Sequence, residues 1–170
     1  LNKKFDVIEC CGVLHHMDNP LNGLAALLEV LEEDGFLKLG LYSELARTDI
    51  VKARNIISSQ EIKATADGIR SFRKNHISGM FPEINYLHQW SDFYTTSMCR
   101  DLCFHVQEHR YSIQEIIDTL DSFNLKFLGF ILDNSVKEKY ASEFNEDSNQ
   151  TNLRNWKNFE EKYPNTFREM

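Results

Sequence analysis

The sequence predicts an α/β fold in a single domain spanning residues 1–170, and three observations carry that prediction. Phe5 to Cys10 is a run rich in branched and aromatic residues that reads as a strand. Asn19 then offers a helix cap with Pro20 at the first helical position, followed by apolar residues at helical spacing. Phe36 to Tyr42 is a second strand-like run, and strand, helix and strand with short joints imply a parallel pair with a right-handed crossover.

The remaining elements follow in order. The first helix runs through Leu24, Ala25, Leu27, Leu28 and Leu31 until Asp34-Gly35 stops it. After Ser43 two amphipathic helices are expected, one through Ala46, Ile50, Ala53 and Ile57, the other through Ile62, Ala66, Ile69 and Phe72, with Ser58 or Ser59 as the intervening cap. From Asn75 to Gln107 the chain is aromatic and polar without a clean period, and only a short helix after Ser91 is read there. Ser112 caps a helix through Ile113, Ile116, Ile117 and Leu120, Asn124 ends it, and Leu125 to Leu132 reads as a third strand. Helices are expected at Val136 to Phe144 and Leu153 to Tyr163 around a soft, acidic break at Asn145 to Asn152.

Composition narrows the function classes. With 42% hydrophobic residues among 170, the chain can fill one ordinary core. Its 26 acidic and 19 basic residues give a net charge of -7, which repels phosphate backbones and anionic lipid, so neither nucleic acid nor a membrane surface is an expected partner. No apolar run approaches the roughly 20 residues that span a bilayer, and no basic-then-apolar leader is visible, so a cytoplasmic location is expected. The four cysteines, Cys10, Cys11, Cys99 and Cys103, match no secreted disulfide framework and read as reduced, mostly buried thiols. The chain starts at Leu1, directly before a strand, and reads as a fragment of a longer one.

Ligands of parallel α/β sheets lie outside the carboxyl ends of the strands, which directs attention to the residues after Cys10 and after Leu41. The first loop reads Cys11-Gly12-Val13-Leu14-His15-His16-Met17-Asp18, where Gly12 would let a ligand approach the backbone. Phe-Asp-Val-Ile, then Val-Leu-His-His-Met, a Pro-initiated helix, Gly35 and a hydrophobic strand resemble the fourth strand, fourth helix and fifth strand of class I S-adenosylmethionine-dependent methyltransferases. A second block, Arg100 to Tyr111, together with Leu41 to Arg47 and the late Trp156, Phe159-Glu160, Pro164, Thr166-Phe167 and Met170, resembles the bacterial methyltransferases often fused to tetratricopeptide repeats.

The resemblance implies a partial Rossmann-like methyltransferase fold with its first three strands missing and helical insertions added, and S-adenosylmethionine as the cofactor of the complete protein. It places Cys11, Gly12, Val13 and Leu14 on the cofactor side, and His15, His16, Tyr42, Glu44, His105 and His109 as candidates on the catalytic, acceptor side, Ser43 standing among them at the strand end. The acceptor would be a small molecule or a protein. None of the seven glycines forms the Gly-x-Gly pair with which such enzymes wrap most of the cofactor, so this chain alone is expected to bind it weakly or not at all and to be inactive. The alternative is a methyltransferase-derived module with an interaction or regulatory role and no catalysis. Missing neighbours would also leave the strand at Phe5 to Cys10 with a bare edge, where Val7 and Ile8 invite self-association and only Lys3 and Lys4 stand guard, at its entrance.

Competing readings are weaker. His105-Val-Gln-Glu108-His109 matches the pattern of an inverted zinc protease, which needs a helix, whereas this stretch precedes the Ser112 cap; no metal is expected. Arg47 and Arg54 share a helix face as an anion site or, more commonly, a solvated stripe. Trp90, Trp156 and the phenylalanines read as core.

Overall fold

A computed structural model describes residues 3–105 and 107–168; Val106 and Met170, both part of the resemblance above, lie outside the described residues. The described chain is mixed α/β with one pair of parallel strands. It divides into two compact units, one of residues 3–46 and 107–168, the other of residues 47–105.

In the first unit β1 (Phe5–Cys11) leads through a single 3-10 turn (Leu14–His16) to α1 (Pro20–Glu29), and α1 returns the chain to β2 (Leu31–Gly40), which pairs with β1 in parallel. The Asn19 side chain accepts hydrogen bonds from Leu21 N and Asn22 N at 3.0 and 3.3 Å, satisfying two amides that a helix start leaves open, a device of about 1 kcal/mol. α1 ends at Glu29, earlier than Asp34-Gly35 suggests, because Leu31 already belongs to the strand and pairs with Phe5. The register then jumps, Val7 pairing with Phe36, so Glu32 to Gly35 form a bulge opposite Asp6. Gly35 serves that bulge: a Cβ there would lie 2.8 Å from a Leu31 methyl and 3.0 Å from Glu32 O. β2 stops at Gly40, and Leu41 and Tyr42 continue beyond the ladder.

The pleat sorts the side chains of this small sheet. Cys10, Leu37 and Leu39 join Leu14, Leu24, Leu27, Leu28 and Phe123 in one apolar cluster. The other face exposes Phe5, Val7 and Phe36 beside the Glu9–Lys38 ion pair at 2.5 Å.

Past the strand ends α5 (Ile113–Ser122) begins with a capping box: Ser112 Oγ accepts from Glu115 N, and the Glu115 carboxylate accepts from Ser112 N. Asn124, at φ 52°, ends it in the left-handed region. The expected third strand at Leu125 to Leu132 does not form: the segment makes no ladder with any described strand, and Phe127, Phe130 and Leu132 instead pack on Tyr140, Trp156 and Phe159 of α6 (Asn134–Glu143) and α7 (Leu153–Lys162). Trp156 stacks on Tyr140 with ring centroids 3.8 Å apart, and its Nε1 donates to Gln150 O at 2.8 Å.

The second unit is helical, with α2 (Thr48–Ser59), α3 (Ala66–Ile77), three short 3-10 turns between Pro82 and Tyr94, and α4 (Thr96–Phe104). Its core gathers Ile50, Ile57, Ile69, Phe72, Phe81, Phe93 and Leu102, each large side chain worth about 1.5–3 kcal/mol when fully buried. α3 is capped by Thr65, whose Oγ1 accepts from Gly68 N at 3.2 Å, and not by Ser58 or Ser59, which close α2. Cys10, Cys99 and Cys103 are buried and Cys11 is exposed, all four as free thiols.

Candidate functional site

The two strands deliver the first unit's polar groups to one place, beyond their carboxyl ends. After Cys11 the chain turns at Gly12, whose φ of 74° is a left-handed value open to glycine and strained for other residues. A Cβ added there would meet nothing within 4 Å, so the space above this turn is open. Cys11, Gly12 and Val13 are exposed, while Leu14 is buried in the apolar cluster with Cys10 and Leu24. Of the four residues assigned to the cofactor side, three therefore face outward and the fourth anchors the loop.

The 3-10 turn then stacks the two histidines. His15 is fully buried, its ring 4.2 Å from that of His16 and 4.1 Å from that of Tyr42, which follows Leu41 past the end of β2. The segment 107–111 lies alongside. His109 N donates to His15 O at 2.8 Å, Tyr111 N donates to Tyr42 O at 2.8 Å, and Glu44 N donates to Tyr111 O at 3.1 Å, giving Ser43 and Tyr111 a parallel bridge. His16 Nδ1 lies 3.0 Å from Gln107 O, and the Gln107 side chain reaches Met17 O at 3.1 Å and His109 Nε2 at 3.3 Å.

Five of the six acceptor-side candidates thus fall in the first unit, and four of them, His15, His16, Tyr42 and His109, form one linked group. Glu44 is exposed at its margin. His105 belongs to the second unit, where it caps the end of α4 and borders a depression of about 600 Å³ with Asp92, Arg100, Asp101 and Phe104. Residues 107–110 are not helical, so the facing turns that an inverted zinc protease motif requires are not formed. Beside the group, His109, Tyr111, Asp18, Leu21 and Asp118 border an open groove of about 420 Å³.

Three contributors are not legible in the sequence as site residues: Gln107, Tyr111 and Glu160. Tyr111 acts largely through main-chain bonds that any residue could make, and Gln107 through its main-chain carbonyl and its side-chain amide; the legible signal is the Ser112 cap, which fixes where the segment ends. Glu160, on α7, accepts from Ser43 Oγ at 2.5 Å, and Ser43 Oγ accepts from Ala46 N at 3.0 Å. Burial pushes the Glu160 carboxyl above its ordinary range; the Ser43 bond works the other way, and the Glu161 and Glu44 carboxylates add to the rise. Burial likewise raises the Tyr111 hydroxyl, helped by Glu115.

No helix among the described residues is long and apolar enough to cross a membrane. No family model matches the chain. The chain is similar to an uncharacterized protein of a Synechococcus species, 32% identical over 136 residues that make up 75% of this chain and 32% of the relative. The chain thus spans about a third of the length of that curated relative.

Proposed function

We propose that this chain is the carboxy-terminal part of a class I S-adenosylmethionine-dependent methyltransferase with a partial Rossmann-like fold, acting on a small-molecule or protein acceptor. The observation that carries the reading is the meeting, beyond two parallel strand ends, of an exposed glycine turn at Gly12 with the linked group His15, His16, Tyr42 and His109. Parallel strands place ligands at that end of a sheet. The residues present fit one flank of the cofactor: Cys11, Gly12 and Val13 offer main-chain groups next to open space.

When bound, the cofactor supplies an electrophilic methyl group. The chain's own part is to orient the acceptor and to manage its proton, since an in-line displacement needs the nucleophile close and aligned, with a base only where the nucleophile still holds a proton. His15 is buried and acts as the support on which Tyr42 and His16 rest; His16, Tyr42 and His109 face the acceptor, with Glu44 at the rim. A relative about three times as long as the stretch it shares fits a parent protein that provides the cofactor's glycine loop outside this chain.

The test is calorimetric titration of S-adenosylmethionine into the complete natural protein, followed by transfer of radiolabelled methyl groups. Saturable binding with transfer is expected from the complete protein, and no incorporation from the isolated chain above a His15→Ala control. Absence of binding by the complete protein overturns the reading and leaves a methyltransferase-derived interaction or regulatory module.

A further inference from the structure

α4 carries two thiols on one face. Cys99 and Cys103 stand four residues apart, the spacing at which helical side chains meet, and both lie in the core of the helical unit, 0% and 1% exposed. Burial alone suits a cysteine, which packs as a small apolar residue. The surroundings of this pair are not all apolar. Arg73 of α3 lays its guanidinium over Phe93, 5.7 Å from the ring, and its Nε is buried with no hydrogen-bond partner among the described residues. A cation held in such a place is stabilised by an anion close by. Hydrogen bonding to Cys103 and then the Arg73 charge hold the Cys99 thiol below its ordinary 9.0, against the opposing effect of burial. The same hydrogen bond, followed by burial, pushes the Cys103 thiol well above it. One sulfur is thus prepared as a thiolate and its neighbour as a thiol.

We propose that Cys99 and Cys103 are a redox modification site: a hydroperoxide converts them to a reversible disulfide within α4, with Cys99 attacking and Cys103 resolving. The Cys99 thiolate attacks a peroxide oxygen, the O–O bond breaks, and the hydroxide that leaves is protonated to water. The Cys103 sulfur then attacks the Cys99 sulfenic acid, the S–O bond breaks, and the departing hydroxide takes the Cys103 proton as a second water. Two electrons pass from the sulfurs to the peroxide. Hydrogen peroxide is little larger than water, so a local opening of the helix end admits it. Cys103 is the next-to-last residue of α4, in the turn that opens most easily, although Arg54 Nη2 holds the Leu102 carbonyl there at 3.0 Å. Side chains four apart on a helix have Cβ atoms about 5–6 Å from one another, wider than the roughly 3.5–4.5 Å of a relaxed disulfide. Closing the bond therefore tightens the last turn, and the loss of the thiolate leaves Arg73 without its anion. Both effects favour the reduced pair and make the disulfide easy to reverse. The site is independent of the methyltransferase reading.

The test treats the full native chain with hydrogen peroxide, denatures it, alkylates the remaining thiols and maps tryptic peptides without reductant. Trypsin cuts at Arg100, between the two cysteines, so their disulfide joins residues 75–100 to residues 101–110. That joined pair is expected as the main product at these cysteines, and it is expected to be lost after incubation with excess reduced glutathione. In Cys103→Ser the Cys99 sulfenic acid should accumulate and react with a dimedone probe, and Arg73→Gln should slow disulfide formation severalfold. Recovery of Cys99 and Cys103 as free thiols after the exposed Cys11 has been oxidised overturns the proposal. So does a joined pair that survives glutathione, or an unchanged rate in an Arg73→Gln chain whose circular dichroism matches the unmodified one.

Discussion

Ser43 and Glu160, 117 residues apart, share a buried hydrogen bond of 2.5 Å that ties the end of β2 to α7. Glu160→Ala would leave the Ser43 hydroxyl without its acceptor inside the protein, and a loss of about 1–3 kcal/mol is expected. Glu160→Gln keeps an acceptor oxygen. Because burial raises the Glu160 carboxyl above the ordinary 4.5, the native chain holds this proton more tightly than the unfolded one. Its contribution is therefore fully present below about 4.5, is lost as pH rises through the raised native value, and levels off beyond it. Denaturation at pH 4 and at pH 7 checks this: Glu160→Gln should gain on the unmodified chain at the higher pH, and an equal difference at both would count against it.

The second unit carries the opposite pH dependence. His76 is buried, its ring 5.1 Å from Phe93 and 5.9 Å from His88, and its Nδ1 has no hydrogen-bond partner among the described residues. The Arg73 guanidinium also sits over Phe93, 5.7 Å from the ring. Burial, and secondarily His88, pushes the His76 imidazole below its usual 6.5. The unfolded chain then binds the proton first, so stability is full above 6.5 and falls as pH drops through that value toward the lower native one. His76→Phe should flatten the fall in urea midpoint on going from about pH 7.5 to about pH 5.5, and His88→Gln should flatten it less, because burial is the larger cause.

Asp147 organises the acidic stretch between α6 and α7. Its carboxylate accepts from the Tyr140 hydroxyl at 2.6 Å, from Thr151 N at 3.1 Å and from Asn152 N at 2.9 Å. Asp147→Ala should cost about 1–3 kcal/mol by leaving these donors open, while Glu146→Ala, on the exposed side, should stay within about 0.5 kcal/mol. Thermal melts of the two variants make the comparison.

The edge of β1 is the expected site of self-association. Among the described residues β1 pairs with β2 alone, and Val7 is 64% exposed next to Phe36 at 56%. Val7→Lys should lower the apparent mass seen by light scattering at high concentration. A concentration-independent monomer for the unmodified chain would remove the idea.

What was legible in the sequence had local causes. Asn19-Pro20 and Ser112 start helices through atoms within three residues, and both caps form as read. What was not legible depended on distant partners. Asp34-Gly35 reads as a helix stop, yet it completes a bulge whose register is set by β1. Leu125 to Leu132 has the composition of a strand, and becomes one only if another strand offers it a ladder; here its aromatic side chains go to Trp156 and Tyr140. The break at Asn145 to Asn152 reads as soft because nothing in its composition shows that Asp147 will bind three donors. In the candidate site, the histidines and Tyr42 were visible from their place after strands, while Gln107 was not, because its role lies in geometry that residue type does not encode.

The jump in register between Phe5 and Val7 also gives the sheet a place of slack. One residue, Asp6, separates that pair on β1, and four, Glu32 to Gly35, separate their partners on β2. Length can be taken up or lost in that outward fold while the pairings from Val7 onward keep their partners. A short fluorophore-bearing peptide grafted between Glu33 and Asp34, both exposed, would therefore ride outside the sheet as a passenger and report on its surroundings without shifting Cys11, Gly12 or the histidines beyond them.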